Sequence, residues 1–352
     1  MIAILRGLLI GAAGGALCWA AGVPAPWLAG SMAAAIVAIF AGVKIGMPDW
    51  LKATSFIFLG IQIGTTVNWD TVDSAAQWPA SIGFLGLTVV VVTWGSAAFY
   101  VRVRKWDAAT ALFASLPGAL SLVLLLASET HADMRRVSIA QCIRLFFLIA
   151  ALPALIVYLS PSDAAVNAAP QIGGLLEIAV LVILAVASGL VLERLRVSAG
   201  LILGPTLAAA ALELSGGIHG AAPASLLIPA NVILGVMIAS RFRDFSFAEF
   251  RQALGEGFAG FVIALMIAAT GAGIASWFSG LPYALTLLAF SPGGLDAMTI
   301  MAFALNLDPA YVGAHQIARY VGLALTMPWV THFVLHRMGV NSPVRTKAVE
   351  ED

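Results

Sequence analysis

Apolar residues run along this chain in long blocks with short interruptions. The blocks fall at about 3–22, 27–43, 53–68, 80–101, 108–128, 137–160, 171–192, 199–215, 225–240, 254–279, 284–305 and 310–335. Most are near the roughly 20 residues that a bilayer-spanning helix needs. Their joints carry Pro, Gly or paired charges, and no stretch before the last dozen residues reads as a linker or a soluble domain. The pattern predicts an all-α polytopic membrane protein. Block 3–22 has a counterpart in mid-chain, so it reads as a first membrane helix and not as a signal peptide.

The blocks repeat. A shift of 175 residues places Pro117, Gly118, Leu120, Ala127, Asp133, Val137, Gln141, Arg144, Leu148 and Pro153 on Pro292, Gly293, Leu295, Ala302, Asp308, Val312, Gln316, Arg319, Leu323 and Pro328 without a gap. Polar residues and Pro/Gly are among the matches, so shared apolarity alone does not produce them. At the same shift "FLGIQIGTT" (58–66) meets "ILGVMIASR", and Gly30 meets Gly204 at a shift one shorter. The chain reads as a duplication, with a first membrane repeat at 1–160, a second at 171–338 and a tail at 339–352.

Charge decides how the repeats are threaded. Twelve crossings with Arg6 inside would put the clusters at Arg135, Arg194 and Arg241 outside, against the excess of Lys and Arg on cytoplasmic loops. If 108–128 and 284–305 instead enter the membrane and return, every basic cluster lies inside, and the loops near 70, 163, 219, 280 and 308 lie outside. Each half then has five crossings, so the second half is inverted relative to the first. "SLPG" (115–118) and "SPGG" (291–294) supply the helix stop and backbone freedom a hairpin tip needs. A continuous crossing helix kinked at the Pro is the alternative.

Composition narrows the partners. Hydrophobic residues make up 61% of the 352 and charged residues 10%, with a mean hydropathy of +0.98, so the bilayer is the first partner. The net charge is zero and the basic residues are scattered in twos and threes. No stripe exists that would neutralise nucleic-acid phosphates. Cys18 and Cys142 stand inside apolar runs with no metal-ligand spacing, and read as packing residues. No cofactor and no metal are expected.

Few polar residues lie inside the apolar blocks. Asp296 follows the second tip, where an intramembrane carboxylate is either functional or a first-turn acid favoured by the helix dipole. Ser121 holds the same place in the first half. Arg144 and Arg319 lie well inside the last block of each half, and Gln141 and Gln316 share their helix faces. These donors would either meet an anionic ligand beside the tips, or serve structure, each Arg holding its own tip by bonding its carbonyls or pairing with Asp296. Gln62, Thr65, Thr66 and Asn231 are weaker candidates in the third helices. His332 and His336 have metal-pair spacing but no acidic partner, with His315 a few turns away.

Two copies of this unit, with "SLPG" in the first, "SPGGLD" in the second and Q-x-x-R after each, resemble the AbrB membrane protein family. The similarity covers about residues 8–336. The first tip departs by having Ala119 where relatives tend to have a second Gly. The resemblance implies a bacterial membrane protein distantly similar to the cation:proton antiporter and anion symporter superfamily. With the basic clusters inside, a multi-pass protein of the cytoplasmic membrane with both termini cytoplasmic is expected. Members have carried labels of ammonia monooxygenase and of membrane regulator of gene expression.

Inverted repeats with broken elements at midplane mark secondary transporters. The sequence therefore predicts a transporter of a small anionic metabolite, coupled to H⁺ or Na⁺ by alternating access. Its substrate would touch Pro117, Gly118, Ser121, Gln141, Arg144, Ser291, Pro292, Gly293, Gly294, Gln316 and Arg319, with Asp296 as the coupling-ion site. A homodimer is possible on this reading. The alternatives are a membrane regulator acting through a partner or a metabolite, and, remotely, a monooxygenase-like enzyme.

Overall fold

The computed structural model describes residues 2–75, 78–118, 120–128, 130–159, 174–195, 197, 200–216 and 227–337. The tail at 339–352 and the join at 160–173 lie outside them. Among the described residues there is no strand, and fifteen α-helices follow in order. These are α1 (Ile2–Ala20), α2 (Pro26–Phe40), α3 (Asp49–Gly64), α4 (Trp69–Ala75), α5 (Trp78–Arg102), α6 (Ala108–Ser115), α7 (Leu120–Ser128) and α8 (Met134–Leu159). The second half has α9 (Leu175–Arg194), α10 (Gly200–Leu214), α11 (Leu227–Ala239), α12 (Phe247–Ser279), α13 (Tyr283–Phe290), α14 (Leu295–Ala304) and α15 (Pro309–Arg337).

Five helices, α1, α5, α8, α9 and α12, are long and apolar enough to cross a membrane. Four more of the ten predicted crossings form shorter helices: α2 and α10 have 15 residues, α3 has 16 and α11 has 13. At 1.5 Å per residue these reach about 20–24 Å, short of a hydrocarbon core of about 30 Å. Turn residues cut them. Pro26 opens α2, and Gly42, at φ 84°, follows its end.

The helices pack in two groups, each drawn from both halves. In one, α1, α2 and α3 lie with α9, α10 and α11. In the other, α5–α8 lie with α12–α15. Phenylalanines form a seam between the groups: Phe40 of α2 packs on Phe247 and Phe250 of α12, at centroid distances of 5.6 and 5.0 Å.

Glycine governs the crossings in the first group, where removing a Cβ lets backbones meet. A Cβ on Gly60 of α3 would stand 2.4 Å from the Ile202 carbonyl of α10. Its counterpart Gly235 of α11 would stand 2.7 Å from the Leu28 carbonyl of α2. The contact is therefore made twice, with the halves exchanged. Gly14 against Gly30 and Gly189 against Gly204 form a second such pair.

In the other group α5 and α12 run antiparallel. Thr88 faces Gly271, Gly95 faces Ile267, Tyr100 faces Gly260, and Arg104 pairs with Glu256, so the numbers rise on one helix as they fall on the other.

Gly60→Ala is predicted to lower unfolding free energy by about 1–3 kcal/mol, the usual penalty of overpacking. Gly83→Ala, where a Cβ meets open space, is predicted to raise it by up to about 1 kcal/mol through helix propensity. Thermal unfolding of the two variants in one detergent checks the pair.

Candidate functional site

Each of the two Pro-Gly stretches is a break between two short helices. Asp107 caps α6 by accepting from the Thr110 N–H at 2.8 Å, and α6 ends at Ser115, ahead of Pro117. A helix end leaves carbonyls without intrahelical partners. The next long helix supplies the donors. Gln141 of α8 donates through Nε2 to the Phe113 and Leu116 carbonyls, at 2.9 and 3.0 Å. Arg144 donates through Nη2 to the Leu116 carbonyl at 3.0 Å and also to Gln141 Oε1.

The second half repeats the arrangement. Gln316 of α15 donates to the Ala289 carbonyl at 3.1 Å, and Arg319 donates to the Ser291 carbonyl at 2.7 Å. Arg319 also bonds the Gly293 carbonyl and Gln316 Oε1. Leu116 and Ser291, the acceptors for the two arginines, are equivalent at the 175-residue shift. At both tips the glycine N–H turns back two residues, Gly118 to the Leu116 carbonyl at 3.0 Å and Gly293 to the Ser291 carbonyl at 2.8 Å. The helix carrying each clamp begins alike: Asp133 accepts from the Arg135 and Arg136 N–H groups, and Asp308 from those of Ala310 and Tyr311.

These contacts place the chain ends of the first break. The Asp133 N–H donates to Thr110 Oγ1 at 2.8 Å, so the residue ahead of α8 lies beside the first turn of α6. Gln and Arg stand seven and ten residues beyond the first residue of α8 and of α15. That is about 10–15 Å of helix in each half.

The first tip adjoins α15, the helix that carries the second clamp. A Cβ on Gly118 would lie 3.3 Å from Cδ1 of Leu323 on α15, and Leu116 lines one cavity with Arg319. Both guanidiniums are buried, at 7% and 6% exposure. Among the described residues the four ion pairs are Lys52–Asp49, Arg104–Glu256, Arg135–Glu249 and Arg136–Asp133, and neither buried arginine takes part. Carbonyl dipoles satisfy part of their hydrogen bonding without cancelling their charge.

Of the predicted residues, the structure thus brings together Pro117, Gly118, Gln141 and Arg144 at one tip and Ser291, Pro292, Gly293, Gly294, Gln316 and Arg319 at the other. Ser121 and Asp296 are the second residues of α7 and α14. Their side chains lie outside the described set, as do those of His332 and His336. Thr65 and Thr66 bond back to the Gln62 and Ile63 carbonyls at the end of α3. Asn231 of α11 buries Oδ1 without a hydrogen bond among the described residues.

One polar cluster was not singled out from the sequence. His315 donates through Nδ1 to the Tyr311 carbonyl at 2.8 Å, and its Nε2 lies 2.7 Å from Ser81 Oγ. Trp78 and Phe290 pack around it. Its signal, a histidine one residue before Gln316, is visible only once α5 is known to lie against α15. Among the described residues no group of three or more His, Cys, Asp or Glu converges in a way that could hold a metal.

Comparison with known proteins adds a family. A family model described as "Transition state regulatory protein AbrB" matches residues 27–335. The protein "Putative regulator AbrB" of Escherichia coli (strain K12) is 27% identical over 321 residues, covering 89% of this chain and 90% of that one. "Uncharacterized protein YhjN" of Bacillus subtilis (strain 168) is 25% identical over 362 residues, covering 94% and 93%.

Gln316→Ala removes the donor to the Ala289 carbonyl and the acceptor for Arg319. Leaving such buried groups unpaired costs about 1–3 kcal/mol. The variant is predicted to unfold at a lower temperature in detergent than the wild type, and Gln141→Ala to do the same.

Proposed function

The chain belongs to the AbrB family, and from that premise we propose that it is a secondary transporter of a small organic anion, driven by H⁺ or Na⁺. The observation that carries this reading is the pair of Pro-Gly breaks, one from each half, each held by a buried arginine with no acidic partner among the described residues. An anion meeting them would also face the first-turn N–H groups of the helices that leave the tips, α7 and α14. On this reading the substrate contacts come from Pro117, Gly118, Ser121, Gln141 and Arg144, and from Ser291, Pro292, Gly293, Gly294, Gln316 and Arg319. Asp296, two residues past Gly294, binds the coupling ion.

The two breaks are read as re-entrant hairpins with tips near the midplane. The Thr110–Asp133 contact supports this, because two collinear helices would hold those residues far apart. About 10–15 Å of helix before each clamp agrees with half a hydrocarbon core. Inverted repeats of five crossings are supported by the antiparallel run of α5 and α12, which occupy equivalent places in the two halves. On this topology both termini are cytoplasmic and the bacterial inner membrane is the host. Alternating access would be a movement of the tip-bearing group, α5–α8 with α12–α15, against the other. A homodimer would form through that other group.

The reading contains no catalytic step. A second reading, the regulator of gene expression that the resemblance implied, is favoured by the word "regulator" in the name of the Escherichia coli relative. Under transport, such an effect follows indirectly from the level of the metabolite moved.

Proteoliposomes with an imposed pH or Na⁺ gradient test the proposal, using a panel of radiolabelled small carboxylates. Gradient-driven uptake of at least one is expected, and Asp296→Asn is expected to reduce it at least tenfold. No driven uptake across the panel would contradict transport of this class, and undiminished uptake in Asp296→Asn would remove that residue from coupling.

A further inference from the structure

Beside Arg319 the protein holds a cavity of about 320 Å³ between α5, α6 and α15, within the range of small-molecule sites. Its floor is apolar: Leu85, Leu112 and Leu116 are buried there. Arg319 lines the same cavity and is the one ionisable residue among those lining it. Its mouth opens on the outer surface of the bundle, where the lining residues Val90 and Trp94 are 52% and 55% exposed. On the membrane reading that surface faces acyl chains.

The mouth is kept open by two glycines, Gly86 on α5 and Gly322 on α15. Both line the cavity, and a Cβ added at either meets nothing within 4 Å. Neither is required by a close backbone approach there, unlike the glycines of the α2, α3, α10 and α11 crossings. At the inner end, Arg319 makes three hydrogen bonds to the second tip. A guanidinium has five N–H donors, so two are left, among the described contacts, for a further acceptor.

We propose that this cavity is a binding site for an amphipathic organic anion, which enters from the bilayer between α5 and α15, seats its apolar body against Leu85, Leu112 and Leu116, and places its anionic head on Arg319. The inference rests on the transport reading and deepens it, by giving the substrate an apolar body and a lateral route. Charge complementarity selects this occupant over an ordinary acyl chain. A neutral chain would fill the apolar walls and leave the guanidinium donors unused.

The test uses the full chain in lipid nanodiscs and ω-bromodecanoate, whose bromine quenches tryptophan at short range. Trp94 is one of nine tryptophans, so its signal is taken as the difference between the wild type and Trp94→Phe. Saturable quenching of Trp94 is expected, at least tenfold weaker in apparent affinity with the bromodecanoate methyl ester. Gly86→Leu and Gly322→Phe fill the cavity from positions with free space, and each is expected to weaken the binding at least tenfold without lowering the thermal unfolding temperature.

Equal quenching by the ester would mean ordinary lipid contact and overturn the proposal. So would indifference of both filled variants, or the absence of saturable quenching, as when a second copy of the chain covers the groove. Driven uptake of the carboxylate panel into proteoliposomes distinguishes the failures. If a member of the panel is transported and bromodecanoate does not bind, the transport reading stands without the lateral site. If no member is taken up and bromodecanoate does not bind, both fall.

Discussion

A backbone that breaks inside a membrane protein must still satisfy its carbonyls, because hydrocarbon offers them no donor. This chain breaks twice, and each time the helix that follows carries a Gln and an Arg, three residues apart, to bond the carbonyls of the break. Much else follows from that constraint. The Arg must be long enough to reach across and must stay buried, which introduces a positive charge where charge is costly. The Gln must offer a donor to the tip and an acceptor to its Arg, which an amide does and a carboxylate does not. The clamp that lets the helix break therefore also builds a cationic centre beside the helix ends at the break. Structural and ligand-binding roles for Arg144 and Arg319 need not compete, since among the described contacts each guanidinium has more donors than the tip consumes.

The surrounding architecture keeps the two centres together. Each clamp is made within one half, while helices from both halves share each packing group around it. Glycine crossings bring α3 onto α10 and α11 onto α2 with backbone contact. In the tip-bearing group α5 and α12 instead set glycine against side chain, Gly260 against Tyr100 and Gly271 against Thr88, and stack Phe84 on Phe278. Backbone contact at glycine suits a scaffold, and the seam between the groups, rich in Phe at one end, suits movement of one group past the other.

Much of the site was legible in the sequence because the duplication repeats it. Pro117–Gly118 with Gln141 and Arg144, and Pro292–Gly293 with Gln316 and Arg319, stood out as matched polar or helix-breaking residues in apolar blocks. Both roles for the Gln and Arg were open at that point, since spacing along one helix says nothing of which carbonyls lie opposite. The partners Phe113, Leu116, Ala289 and Ser291 contribute backbone, which leaves no mark in composition. Helices α2, α3, α10 and α11 were legible as apolar blocks, and their shortness too, since the blocks at 27–43, 53–68, 199–215 and 225–240 already fall below the roughly 20 residues of a span. Cavity and His315 cluster were hidden for another reason. Both depend on α5 lying against α15, more than 200 residues away, and on what Gly86 and Gly322 omit.

Inversion of the two halves is the claim on which the transport account rests, and cysteine accessibility tests it most directly. His131 and Asn306 are equivalent at the 175-residue shift and both are exposed in the loops ahead of α8 and α15. After Cys18 and Cys142 are replaced, a single cysteine at each position is offered a membrane-impermeant thiol reagent on intact cells. The account predicts labelling at 306 and protection at 131. Labelling at both would mean parallel halves with kinked crossing helices, and would contradict it.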